Sequence, residues 1–241
     1  HGYTDFDRQW TDPVKICRMS NEHTKICTRF FIDDDGHLLS YGYNSDGQLG
    51  RDPTEMVNWP QWRYDFVPKK THIYDVVDVI PTSASTYFIK SDGTLWMVGQ
   101  MNGGSHIPTQ IDTNVTNAAA SAGIACLGTC ASYGSLLYRK TDATLWGMGR
   151  NGSGELGLGH ASEVTTPQQI DTNVLPNALA TSLWGTTYLK WKTGNTLGVW
   201  QMGNPNDAWG NGTFGAHSVQ GTGGPAAALI TTPVETGTIT G

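Results

Sequence analysis

The chain has 241 residues, which suits one large all-β domain or two small ones and is long enough to bury a sizeable core. Charged residues make up only 15%, the net charge is −6, and no basic run is present to neutralise phosphates, so a nucleic-acid partner is not expected. No apolar run reaches the ~18 residues of a membrane span, so membrane insertion is not expected either, whereas 30 glycines with abundant Thr and Asn fit many short strands joined by tight turns.

Taken from the N-terminus, the opening residues lack the charged-then-apolar pattern of a signal peptide. Cys17 and Cys27 follow with C-x9-C spacing, and Cys126 and Cys130 later stand as C-x3-C. Zinc wants C-x-x-C spacing or clustered histidines, so no metal is expected here. The cysteines read either as disulfides, Cys17–Cys27 and Cys126–Cys130, in an oxidising compartment, or as buried thiols. Residues 29–50 (RFFIDDDGHLLSYGYNSDGQLG) predict two apolar strands about a DDG turn, then an Asn/Gly-rich loop. The acidic triplet Asp33, Asp34 and Asp35 lacks the spaced order of a calcium loop and reads as a solvated hairpin turn.

Residues 55–75 carry Trp59, Trp62, Tyr64, Phe66 and Tyr74 interleaved with Arg63, Lys69 and Lys70. The segment reads as an inserted loop whose aromatics either contact carbohydrate or protein or pack beneath the fold. Trp59, Trp62 and Tyr64 are candidate ligand contacts, and Trp184 and Trp209 are further loop candidates. Residues 86–104, 136–157 and 187–210 each repeat strand, turn, strand and loop, the last with a three-residue insertion around Gly194 and Asn195. PTQIDTNV at 108–115 returns as PQQIDTNV at 167–174 and predicts a strand and turn linking successive repeats. Pro108 and Pro167 are expected where a strand begins, and Pro60 or Pro68 and Pro233 mark weaker copies. The small-residue stretch Ala118–Ser132 reads as a loop pinned by its cysteines.

The glycines that close the second strand, Gly42, Gly99, Gly149 and Gly203, lie 57, 50 and 54 residues apart. A recurrence of this length identifies a solenoid or propeller, whose repeats bury their apolar faces only against neighbours. Trp96, Trp146 and Trp200 recur at one phase and read as packing between blades. The expected architecture is all-β: a single propeller domain over 1–241 with about four blades, near 14–57, 73–112, 115–171 and 174–234.

The pattern DG-x-L-W-x-x-G-x-N-x-x-G-x-L-G resembles the RCC1 repeat, most clearly in Leu145, Trp146, Gly149, Asn151, Gly154, Leu156 and Gly157. The first copy matches through Asp35, Gly36, Gly42, Asn44, Gly47, Gln48, Leu49 and Gly50. The second copy is cut short after Asn102, and the fourth has Pro205, Asn206, Asp207 and Trp209 instead. RCC1-like propellers usually have more blades than four, so this is either a smaller ring or an arc completed elsewhere. The form FIKSDGTLWMVG with QIDTNV linkers also looks like the RCC1-repeat modules of bacteriophage tail fibres and adhesins. That resemblance implies a virion or extracellular protein that attaches to a host-surface glycan or protein, with other virion proteins as neighbours and homo-oligomers among its possible states. The alternatives are structural decoration of a virion and an intracellular protein-interaction propeller such as a GTPase regulator.

No G-x-S-x-G, H-E-x-x-H, P-loop or dinucleotide fingerprint stands in a credible context. The glycine-rich stretch Gly152 to Gly159 is the repeat's own loop. No enzymatic activity and no cofactor are therefore expected.

Overall fold

A computed structural model describes residues 28–33, 35–52, 64–121, 134–181, 185–192, 196–203 and 230–240; for 64–66, 230, 231 and 240 it describes the backbone alone. These residues form four antiparallel sheets, each built from strands in chain order. The first contains β1 (Thr28–Ile32), β2 (Leu38–Tyr43) and β3 (Tyr64–Lys70). The second contains β4 (Val76–Pro81), β5 (Ser85–Lys90), β6 (Leu95–Gly99) and β7 (Ser105–Asp112). The third contains β8 (Val115–Ala120), β9 (Ser135–Lys140), β10 (Leu145–Gly149) and β11 (Val164–Asp171). The fourth contains β12 (Val174–Thr181), β13 (Gly185–Trp191), β14 (Thr196–Gly203) and β15 (Ile230–Thr240). The all-β, four-repeat expectation holds.

The four glycines that set the period occupy one structural position. Gly42 pairs with Thr28, Gly99 with Ser85, Gly149 with Ser135 and Gly203 with Gly185. All four have positive φ. At Gly99 a Cβ would lie 2.4 Å from the Ala84 carbonyl oxygen, and at Gly149 equally close to that of Gly134. The crossing chain, not a tight turn alone, excludes a side chain there.

The loops that follow fold on their own side chains. Asn44 Oδ1 accepts from the Leu49 amide, and Asn151 Oδ1 accepts from the Leu156 amide, each at 2.9 Å. This is why asparagine recurs five residues before the loop leucine. The hairpin turns repeat as well: Asp92 Oδ1 accepts from the Thr94 amide and hydroxyl, and Asp142 does the same with Thr144. The threonine hydroxyl in turn accepts from the indole of Trp96 or Trp146 at 2.8 Å. Asp33 accepts from the Asp35 and His37 amides, so two members of the acidic triplet serve a turn; Asp34 lies outside the described residues.

Several local expectations are corrected. Pro108 and Pro167 lie inside β7 and β11 rather than at their starts, as do Pro68 in β3 and Pro233 in β15. Each of these strands is the last of its sheet, where a missing N–H leaves no partner unpaired. The aromatic segment is not all loop, since Tyr64–Lys70 forms β3. Ala118 to Ala120 belong to β8, because their backbones pair with Tyr138, Leu137 and Leu136.

The chain divides into two compact units, His1–Thr113 with Ala125–Ser132, and Asn114–Ile124 with Tyr133–Gly241. In the first, Phe30, Leu38 and Leu49 from one sheet and its loop meet Val79, Phe88 and Val98 from the next, with Trp96 packed on the cluster. Phe30 and Phe88 meet edge to face at 5.7 Å. In the second unit Leu136, Leu145, Met148, Leu156, Tyr188 and Met202 are buried.

Candidate functional site

The strand-and-turn linkers fix where polar chemistry can sit. In the second unit the linker aspartate, Asp171, closes β11 opposite Leu145. Its carboxylate accepts from the Tyr188 hydroxyl at 2.5 Å and from Lys190 Nζ at 2.8 and 2.9 Å. Lys190 Nζ also lies 4.1 Å from the centre of the Trp200 ring. Burial, and then the adjacent Asp171, pushes the Tyr188 phenol far above its usual range. This clamp neutralises a half-buried lysine with a carboxylate supplied by the preceding sheet.

The first unit keeps the lysine and loses the carboxylate. Four residues past the strand proline, where Pro108 leads to Asp112 and Pro167 to Asp171, Pro68 leads to His72. The His72 backbone is held in place, its amide donating to the Gly50 carbonyl at 2.9 Å. Phe88, opposite Trp96, stands where Tyr188 stands opposite Trp200, so the hydroxyl is also gone. Lys90 remains, with its ammonium 4.4 Å from the centre of the Tyr74 ring and 5.6 Å from that of Trp96. The charge of Lys90 reaches the neighbouring Asp92 carboxylate, but among the described residues no ion pair forms between them.

A cleft of about 460 Å³ opens at this point. Lys90, His72 and His106 line it, the two imidazoles lying 5.7 Å apart and tilted by 47°. Tyr74 and Ile107 supply an apolar rim and are 66% and 61% exposed. Among the described residues, Asp52 is the only acid on the lining. Such a surface offers a cation, aromatic faces and exposed apolar area.

Of the residues nominated from sequence, Trp59, Trp62, Trp184, Trp209 and all four cysteines, Cys17, Cys27, Cys126 and Cys130, lie outside the described residues. Tyr64 opens β3, with only its backbone described. Tyr74, from the same aromatic segment, does reach the cleft. Nothing in the residue types of His72, Lys90, His106 or Ile107 marks them in isolation. The available signal is that the proline-to-aspartate spacing of Pro108 and Pro167 is broken at Pro68, which leads to His72, as it is at Pro233, which leads to Gly237. Elsewhere, Asp33, Asp35 and His37 bring their ligand atoms within 4.8 Å of one another, but Asp33 is engaged by the backbone of its own turn.

No protein-family model matches the chain, and no curated protein does. Solved structures do. Human WBSCR16 superposes with a TM-score of 0.58 at 18% identity, over 86% of this chain and 49% of that one. Prp20p from Saccharomyces cerevisiae, a protein with binding properties toward Gsp1p and histones, superposes with a TM-score of 0.58 at 16% identity, over 86% and 48%. Yeast RCC1 (Prp20) bound to Kap60 gives 0.52 at 17% identity, over 73% and 42%. The chain thus spans about half the length of the structures it matches. At these identities the likeness concerns architecture: the fold is that of the RCC1-like β-propellers.

Proposed function

We propose that this chain is a protein-binding module that acts without making or breaking bonds. The observation that carries the proposal is the cleft of the first unit, where exposed Tyr74 and Ile107 flank an ammonium group that has no acid partner among the described residues. Exposed apolar area beside a fixed charge suits a macromolecular partner. The loops are pinned by buried hydrogen bonds, so little conformational entropy is lost on docking. The structural neighbours whose partners are named bind proteins, Gsp1p and histones in one case and Kap60 in another. This favours the interaction-propeller reading over attachment to a host surface. Attachment, with a virion or extracellular location, rests on the sequence resemblance of FIKSDGTLWMVG and the QIDTNV linkers to tail-fibre repeats and on the low charge.

The test is direct binding of the purified full chain to immobilised Gsp1p, core histones and Kap60, beside an array of bacterial surface glycans. Saturable binding to a protein, with no glycan signal, is the expected result. Glycan binding without any protein binding would replace the proposal with the attachment reading.

A further inference from the structure

We infer that the cleft of the first unit accepts an acidic side chain of a partner peptide, whose carboxylate takes the place that Asp171 fills in the second unit. The inference deepens the protein-binding reading and rests on it. Two copies of one repeat position are compared within a single chain. Where the linker ends in Asp171, the lysine of the next sheet is ion-paired at 2.8 Å and lies against its tryptophan. Where the linker carries His72, the corresponding lysine, Lys90, keeps the tryptophan and gains a second ring from Tyr74, lines the cleft, and among the described residues forms no ion pair with a carboxylate. The substitution exchanges an anion for a group that is neutral or cationic. His106 adds a second imidazole beside it.

Lys90, His72 and His106 therefore bring three potential donors to the lining of one cleft, against one acid among the described residues, Asp52. A carboxylate entering there would meet the ammonium in a partly desolvated setting, where charge-assisted hydrogen bonds are strong. Tyr74 and Ile107 line the cleft beside these groups. An apolar residue next to the acid in the peptide would cover them. A short acidic-apolar segment of a protein matches both halves, whereas a small free acid would leave the apolar rim exposed.

The experiment uses the full chain and a fluorescein-labelled nonapeptide of alternating Glu and Leu, with its Gln/Leu isostere as reference, followed by fluorescence anisotropy. The Glu peptide is expected to bind at least about tenfold more tightly than the isostere, with affinity falling as salt rises. H72D supplies in cis the carboxylate of the other linkers and is expected to remove this preference. K90Q is expected to remove it too, and both variants should keep the thermal melt of the parent. Equal binding of the two peptides, or a preference unchanged in H72D, overturns the inference. So does N-acetylglutamate binding as tightly as the peptide, since that would make the cleft a small-acid site. If the chain binds Gsp1p, histones or Kap60 and H72D binds them equally, the cleft assignment fails while the protein-binding reading survives. If none of these proteins binds but the Glu preference persists, the wider reading fails instead.

Discussion

The Thr86 hydroxyl donates to the Gln48 carbonyl oxygen at 2.8 Å across 38 positions of chain, and Thr186 repeats the bond to the Glu155 carbonyl at 2.9 Å across 31. In each unit the loop between the last two strands of one sheet is thereby fastened to the second strand of the next. Thr86 is fully buried, so T86V keeps the shape, deletes the donor and leaves a buried carbonyl short of a partner. A loss of about 1–3 kcal/mol is expected, with T86S much closer to the parent. Urea denaturation reads the difference, and indistinguishable midpoints for T86V and the parent would show that the clasp contributes nothing.

The repeat could be read from sequence because its signals are local and obligatory. Gly99 and Gly149 cannot carry a Cβ, and Asn44 and Asn151 close their own loops, so the same residue types recur at the same spacing. The cleft could not be read that way. Lys90 is an ordinary strand lysine until its register against Trp96 and its relation to Tyr74 are known. The strand prolines were placed too early because the bond that proline omits depends on which strand ends the sheet, a property of topology.

The hairpin turns give a graded test of backbone strain. Ala143 holds φ +66° where the equivalent turns have Gly36 at +81° and Gly93 at +79°. A143G is expected to stabilise by about 0.5–1 kcal/mol, the left-handed strain relieved outweighing the extra freedom of the unfolded chain. At Gly36 a Cβ meets nothing within 4 Å, so G36A should cost only the strain, about 1 kcal/mol. G149A adds a backbone clash and should cost more than either. Thermal melts of the three variants check the order; a destabilised A143G would contradict it.

The same turns respond to acid. Asp92 and Asp142 are held below the ordinary carboxylate value of 3.8, first by the hydroxyls of Thr94 and Thr144 and then by those residues' amides. A carboxyl depressed in the folded state contributes stability that is present above the unfolded value and is lost as pH falls through the folded one. The window is therefore below about pH 4. In T94V the Asp92 carboxyl should titrate closer to 3.8, which carbon-detected NMR follows directly; an unchanged titration would mean that the hydroxyl is not what lowers it.

Two buried tyrosines should behave oppositely. Tyr188 donates to Asp171, whereas the Tyr87 hydroxyl is buried with no hydrogen-bond partner among the described residues. Y188F deletes a bond to a charged group and is expected to cost about 1.5–3 kcal/mol. Y87F removes a desolvated hydroxyl that receives nothing in return, so it should be neutral or stabilising by up to about 1 kcal/mol. Both phenols are raised above their usual value of 10, in each case chiefly by burial. A raised phenol contributes stability that is intact below the unfolded value and declines as pH climbs past it, because only the unfolded chain can then release the proton. The parent should lose stability between pH 9 and 11, and Y87F should lose less. Urea midpoints at neutral and alkaline pH measure both effects, and a Y87F protein clearly weaker than the parent at neutral pH would show that this hydroxyl has a partner after all.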